Sequence, residues 1–165
     1  MKATILKLIL TVTGVAVFPV PALAGVLSDL VVASPDQAEA IAKATVPSKV
    51  FGGIDIKGVD SVMFATLHSI VTGEPLKSLL PKYQPVVEVG HEGPWVFRIP
   101  SELVSRLARL HQVETAAISR RWARTEEFAR ERWPEKVVLD VLQKISKLAR
   151  KADDSHQALF LWMCL

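Results

Sequence analysis

The side chains best suited to proton transfer or metal binding are four histidines: His68, His91, His111 and His156. No two lie three to five residues apart, so no local pair can grip a metal ion. Cys164 is the only cysteine, which excludes an intramolecular disulfide and a cysteine-based structural zinc site. Neither H-E-x-x-H nor G-x-S-x-G occurs, and no carboxylate pair stands apart from the helix-surface acids. The remaining acid/base candidates are His91 and Glu92, adjacent in a stretch dense in turn formers, Gly90 to Pro94, with His68 as a third. A plain turn accounts for His91 and Glu92 equally well. His68 flanks an apolar stripe one turn after Phe64, where a lone histidine is more often packed or hydrogen-bonded than catalytic. The expectation is therefore no metal and no cofactor, with His91, Glu92 and His68 as weak catalytic candidates.

Arg120, Arg121 and Arg124 form a small basic patch, which together with His91 is the candidate binding surface for an acidic partner. Glu126, Glu127 and Glu131 sit close by, so a solvated face of balanced charge is the simpler reading. Three glycines at 52, 53 and 58 evoke a phosphate loop. Their spacing fits neither G-x-x-x-x-G-K-[ST] nor G-x-G-x-x-G, and no clean strand precedes them, so the segment reads as a loop.

The elements that must position these residues centre on residues 86–110. Val86, Val87 and Val89 have strand composition, a turn follows, and Trp95, Val96, Phe97 and Ile99 resume a strand. Alternation puts Trp95, Phe97 and Ile99 on one face, read as aromatic core in preference to a ligand platform. Two strands alone are marginal in water, so something must cover them. Pro100 or Ser101 starts a helix whose stripe is Leu103, Val104, Leu107, Ala108 and Leu110, with Glu102 and Arg106 at i,i+4 on the wet side.

Elsewhere, residues 26–32 read as a strand. Ser34-Pro35-Asp36-Gln37 has the form of a capping box opening a helix through Ala44. Asp60 caps a helix with Met63, Phe64, Leu67, Ile70 and Val71 inside, and Gly73 stops it. A single helix is expected over 113–132, with Val113, Ala117, Ile118, Trp122, Thr125 and Ala129 inward and Glu126 paired with Arg130. After Trp133-Pro134 the strongest helix places Val137, Val138, Val141, Leu142, Ile145, Leu148 and Ala149 on one stripe, with Asp140 and Lys144 paired outside. Residues 152–156 read as a polar loop. Residues 159–165 are apolar throughout and need burial as a central or interface strand, with Cys164 a buried small hydrophobe or a thiol that pairs between chains. The strands expected are thus 26–32, 86–89, 95–99 and 159–165, in an α+β domain with a small, mostly antiparallel sheet packed against about five helices.

Length and composition agree with one domain: 165 residues, half of them apolar. Residues 1–24 have the form of a secretory signal peptide, with Lys2 and Lys7, an apolar run from Leu8 to Phe18, Pro19 and Pro21, and an A-x-A site at Ala22 to Ala24. The run is shorter than the roughly 20 residues that span a bilayer, so no anchor is expected after cleavage between Ala24 and Gly25. Removing the two leader lysines from the count of 20 leaves 18 Lys and Arg against 17 Asp and Glu, a net +1. That balance argues against nucleic acid as a partner. The pattern favours a periplasmic or secreted bacterial protein that binds another protein without catalysis, for example an immunity-type inhibitor. Two alternatives stand beside it: a small hydrolase whose histidine and carboxylate meet only in the fold, and a cytoplasmic domain whose start codon is misassigned.

Overall fold

The computed structural model describes residues 25–165. The expected leader and its cleavage point lie outside the described residues.

The strand Ala158–Cys164, β5, is apolar at every position, so both its faces need a cover. It has neighbours on both edges. The first strand, β1 (Leu27–Ala33), runs antiparallel along its whole length, with Leu30 opposite Leu161. On the other edge lies β4 (Trp95–Arg98), with Phe97 opposite Leu161. Two edge strands complete the sheet: β2 (Ile54–Asp55) beside β1, and β3 (Pro85–Glu88) beside β4. The order is β2-β1-β5-β4-β3 and every pairing is antiparallel. The chain is thus a single α+β domain.

Alternation splits the strand residues between two cores. Leu159, Leu161 and Met163 join Leu30, Val32, Phe97 and Ile99 on one side. Phe160 and Trp162 join Val31, Ala33 and Val96 on the other. The second side is closed by two short helices, α1 (Ala38–Lys43) and α2 (Pro47–Val50), through Ile41, Ala42 and the half-buried Phe51. A 3-10 turn, Pro35–Gln37, leads into α1, and Ser34 N–H donates to the Gln37 carboxamide at 2.9 Å as the capping-box pattern requires.

The first side carries the larger helical layer. Helix α3 (Ser61–Thr72) begins where Asp60 accepts the Met63 N–H at 2.8 Å and ends at Gly73, whose φ of +81° is the left-handed cap glycine adopts freely. A single turn, α4 (Leu76–Leu79), and a 3-10 turn, Leu80–Lys82, follow. Helix α5 (Ser101–Ala108) starts directly after β4, with Pro100 as N-cap, and buries Leu103, Val104, Leu107 and Ala108. Helix α8 (Glu135–Asp154) lies against it with Val138, Leu142, Ile145, Leu148, Ala149 and Ala152 turned inward. It extends through residues first read as loop, because the buried Ala152 continues the stripe one turn beyond Leu148. Val137, expected inward, is half exposed.

The expected single helix over 113–132 is two: α6 (Gln112–Trp122) and α7 (Glu126–Glu131). The inward face also differs. Trp122 is buried as expected, but Val113 is 81 % exposed and Ala117 and Ala129 are exposed, and Thr115 and Ser119 are buried in their place. The Thr115 and Ser119 hydroxyls donate to carbonyls of their own helix, His111 O at 2.9 Å and Ala116 O at 3.1 Å, so small polar side chains can be buried in close contact. Trp122 is the anchor. Its indole N–H donates to Met63 O at 3.0 Å and its ring meets Phe128 edge-on at 4.9 Å. The reversal between α6 and α7 brings Phe128 to that contact.

The expected i,i+4 ion pairs are also replaced. Among the described residues the side-chain ion pairs are Lys82–Glu74 and Arg130–Glu131, and Glu102 lies instead near the His68 ring. Exposed i,i+4 pairs contribute only a few tenths of a kcal/mol, too little to hold long side chains against a better position. No helix among the described residues is long and apolar enough to cross a membrane. Cys164 is a free, half-buried thiol.

Ile145 is fully buried between the helical layer and the sheet. An unpaired carboxylate there costs several kcal/mol, comparable with the whole stability of a domain this size. Ile145→Asp is expected to abolish the cooperative thermal transition seen by circular dichroism. A soluble variant melting near the wild type would show that this face is not core.

Candidate functional site

Helix α3 places His68 on its buried side, and the ring is entirely enclosed. The 3-10 turn after α4 brings Tyr83 alongside, with its hydroxyl 3.0 Å from His68 Nδ1. Burial pushes the Tyr83 pKa up, so the phenol keeps its proton and hydrogen-bonds Nδ1 in either neutral tautomer of the histidine. The other ring nitrogen, Nε2, is buried and has no hydrogen-bond partner. It faces the Glu102 carboxylate at 3.9 Å, beyond hydrogen-bond length. Glu102 sits in the first turn of α5, where an acid is favoured by the helix dipole, and it turns toward His68 rather than pairing with Arg106.

Glu74 completes the group. It follows the Gly73 cap, and its carboxylate lies 3.5 Å from the Lys82 ammonium. One ligand atom from each of His68, Glu74 and Glu102 falls within 4.8 Å of the others. Burial and the Lys82 charge hold the His68 pKa below its ordinary 6.5, against the opposing pull of Glu102 and Glu74. The imidazole is therefore neutral at pH 7, with its unpartnered nitrogen facing the half-exposed Glu102 carboxylate and Glu74 close by.

The other sequence candidates stay apart from this cluster. His91 and Glu92 are exposed at the β3–β4 turn, where the Glu92 carbonyl accepts the Leu165 N–H at 2.8 Å and ties the hairpin to the end of β5. Arg120, Arg121 and Arg124 are exposed on and just after α6. Two of them make backbone contacts: Arg120 Nε donates to Ala116 O at 3.2 Å, and Arg121 reaches Ile70 O, in the last turn of α3, at 3.4 Å. Cations at helix C-termini complement the unpaired carbonyls there. His111 caps α6, and Glu114 accepts its backbone N–H at 3.2 Å. His156 lines a cleft of about 120 Å³ with Ser105 and Asp153. Ser105 donates to Asp153 at 2.9 Å, tying α5 to α8. His156 thus does not stand between serine and acid, as a nucleophile relay requires.

A second concave feature lies beside the Gly52–Gly53 segment, which reads in sequence as a plain loop. The outer face of α8 presents Lys144, Lys147 and Lys151 at i, i+3 and i+7, beside the loop of Gly52 and Gly53. Together they enclose a groove of about 550 Å³ with an apolar floor of Leu148 and Ile54. Lys151 Nζ reaches Gly52 O at 3.4 Å. Glycine is required at 53, since a Cβ there would collide with the Leu30 carbonyl oxygen. None of these lysines has an acidic partner within ion-pair distance among the described residues.

Tyr83, Glu74, Glu102 and the α8 lysines were not singled out by motif. The available signals were weak: an acid in the first turn of a helix, and lysines repeating on the outer face of the most amphipathic segment. Comparison with protein families, curated proteins and solved structures finds no match.

The depressed His68 pKa links stability to pH. The folded chain binds this proton less readily than the unfolded chain, so the contribution is whole above pH 6.5 and is lost as the pH falls through the folded value. The slope for one proton is at most about 1.4 kcal/mol per pH unit. In urea titrations with chelator present, the stability gap between wild type and His68→Gln should narrow from pH 7.5 to pH 5. A gap constant across that range would contradict the assignment.

Proposed function

We propose that the chain is an exported, non-enzymatic binding protein of a bacterial envelope, and that its ligand is a small amphipathic anion held in the α8 groove. The observation that carries this reading is the convergence of Lys144, Lys147 and Lys151 on an apolar floor. Ligand sites are typically concave, mostly apolar and about 300–1,000 Å³, with a few polar groups that fix orientation. This groove, at about 550 Å³, is within that range. Its three ammonium groups favour a carboxylate, sulfonate or phosphate head, and Leu148 and Ile54 favour a hydrocarbon body. A small ligand on α8 thus takes the place of the expected protein partner at the arginine patch. Export is supported by the leader-like composition of residues 1–24.

The hydrolase alternative has less support. His91, His111 and His156 are exposed at separate places, and His68 makes its hydrogen bond to Tyr83 rather than to an acid.

A single preparation tests both parts. The precursor is expressed in a Gram-negative host, purified from the periplasmic fraction, and titrated with the anionic dye 1-anilinonaphthalene-8-sulfonate. An intact mass starting at Gly25 and saturable binding of one dye per chain are expected. Lys144→Glu, Lys147→Glu and Lys151→Glu combined should weaken binding at least about tenfold while leaving the melting transition cooperative, since each site is exposed. Unchanged dye affinity in that variant would remove the groove from the account, and an unprocessed cytoplasmic product would remove export.

A further inference from the structure

The group formed by His68, Glu74 and Glu102 shares no residue with the lysine groove, and it has the composition of an ion site. Its three side chains come from different places in the chain: the middle of α3, the loop beyond its cap, and the first turn of α5. The buried nitrogen is the decisive feature. A fully enclosed imidazole with one nitrogen unpaired leaves a buried polar atom without compensation, which destabilises the fold. Solvent does not relieve it, because the Nε2 atom is inaccessible. A cation would relieve it.

We infer that His68 Nε2, Glu102 and Glu74 form a binding site for a first-row divalent cation, with zinc the best-suited ion. One imidazole and two carboxylates are ordinary ligands for zinc, and three protein ligands leave an open position for water. Bound at about 2.0–2.2 Å, ligand atoms around a tetrahedral ion lie about 3.3–3.6 Å apart. Here they lie within 4.8 Å, with Nε2 and Glu102 already at 3.9 Å. The remaining closure falls to Glu102 and Glu74, whose side chains are 51 % and 38 % exposed, while the histidine is fixed by burial. Tyr83 supplies the outer hydrogen bond that metal-bound histidines commonly make. Nδ1–H donates to its oxygen in the tautomer that leaves a lone pair on Nε2.

Lys82 takes the opposing part. Its ammonium lies 3.5 Å from Glu74 and raises the electrostatic cost of a second cation nearby. The Lys82 charge opposes the divalent ion, so removing it should tighten binding. A site that merely packs α3 against α5 would not respond in this way.

The test is isothermal titration of the protein as it is recovered from expression of the whole 165-residue sequence, first stripped with chelator, with zinc sulfate, alongside thermal melting. The expected result is one ion per chain and a rise in melting temperature. Glu102→Gln and Glu74→Gln, both at exposed side chains and so compatible with folding, should each weaken binding by about tenfold or more. Lys82→Met should tighten it several-fold. Cobalt(II) should give the intense visible absorption of a four-coordinate site in the wild type and lose it in Glu102→Gln. Absence of zinc binding overturns the proposal, as does zinc binding that is indifferent to both glutamine substitutions, which would place the ion elsewhere, such as on the exposed histidines. The dye titration of the lysine groove does not depend on either outcome.

Discussion

A strand with apolar side chains on both faces cannot lie at a surface. In β5, Leu159, Leu161 and Met163 face one way and Phe160 and Trp162 the other, all nearly or fully buried. That constraint orders the molecule. Both edges must be paired, as β1 and β4 do, and both faces must be covered. At about 1.5–3 kcal/mol for each large side chain removed from water, these few residues outweigh any surface ion pair in the chain. The two covers are unequal. The helical layer of α3, α5, α6, α7 and α8 is thick, and the opposite face has only α1, α2 and the adjoining turns.

Both candidate sites belong to the periphery of the thicker layer. The sheet and the α5–α8 contact hold α5, and Trp122 holds α3 through its bond to Met63 O. Between α3 and α5 the His68 ring is trapped with one nitrogen satisfied by Tyr83 and the other facing carboxylates. The lysine groove arises because α8 directs its stripe inward and leaves a run of lysines outside, beside a glycine loop pressed against Leu30. In both cases rigid elements with large buried faces position groups that contribute little to stability themselves.

The architecture was largely legible in the sequence because burial writes periodicity. The alternation of Trp95, Phe97 and Ile99, the switch to helical spacing beyond Pro100, and the apolar run at residues 159–165 all correspond to observed elements. The reading failed where burial is not apolar. On α6 the inward face is Thr115 and Ser119, whose hydroxyls are satisfied within the helix, while Val113 points to water. A hydrophobicity count finds Trp122 on that face but misplaces Val113 and misses Thr115 and Ser119. The candidate sites were less legible for a related reason. His68, Glu74 and Glu102 span 34 positions and meet through packing, so no spacing rule links them. Local pairing rules also assigned Glu102 to Arg106, whereas a buried imidazole nitrogen lies within reach on the neighbouring helix.

The most direct measurement of the central claim is native-state hydrogen exchange along β5. If this strand joins both cores, the amides of Phe160 and Leu161 should be among the slowest to exchange, and their opening free energy should equal that of global unfolding in urea. Exchange there through a local opening, with protection well below that of the buried turns of α5 and α8, would show that the helical layer stands without the strand and would contradict the account.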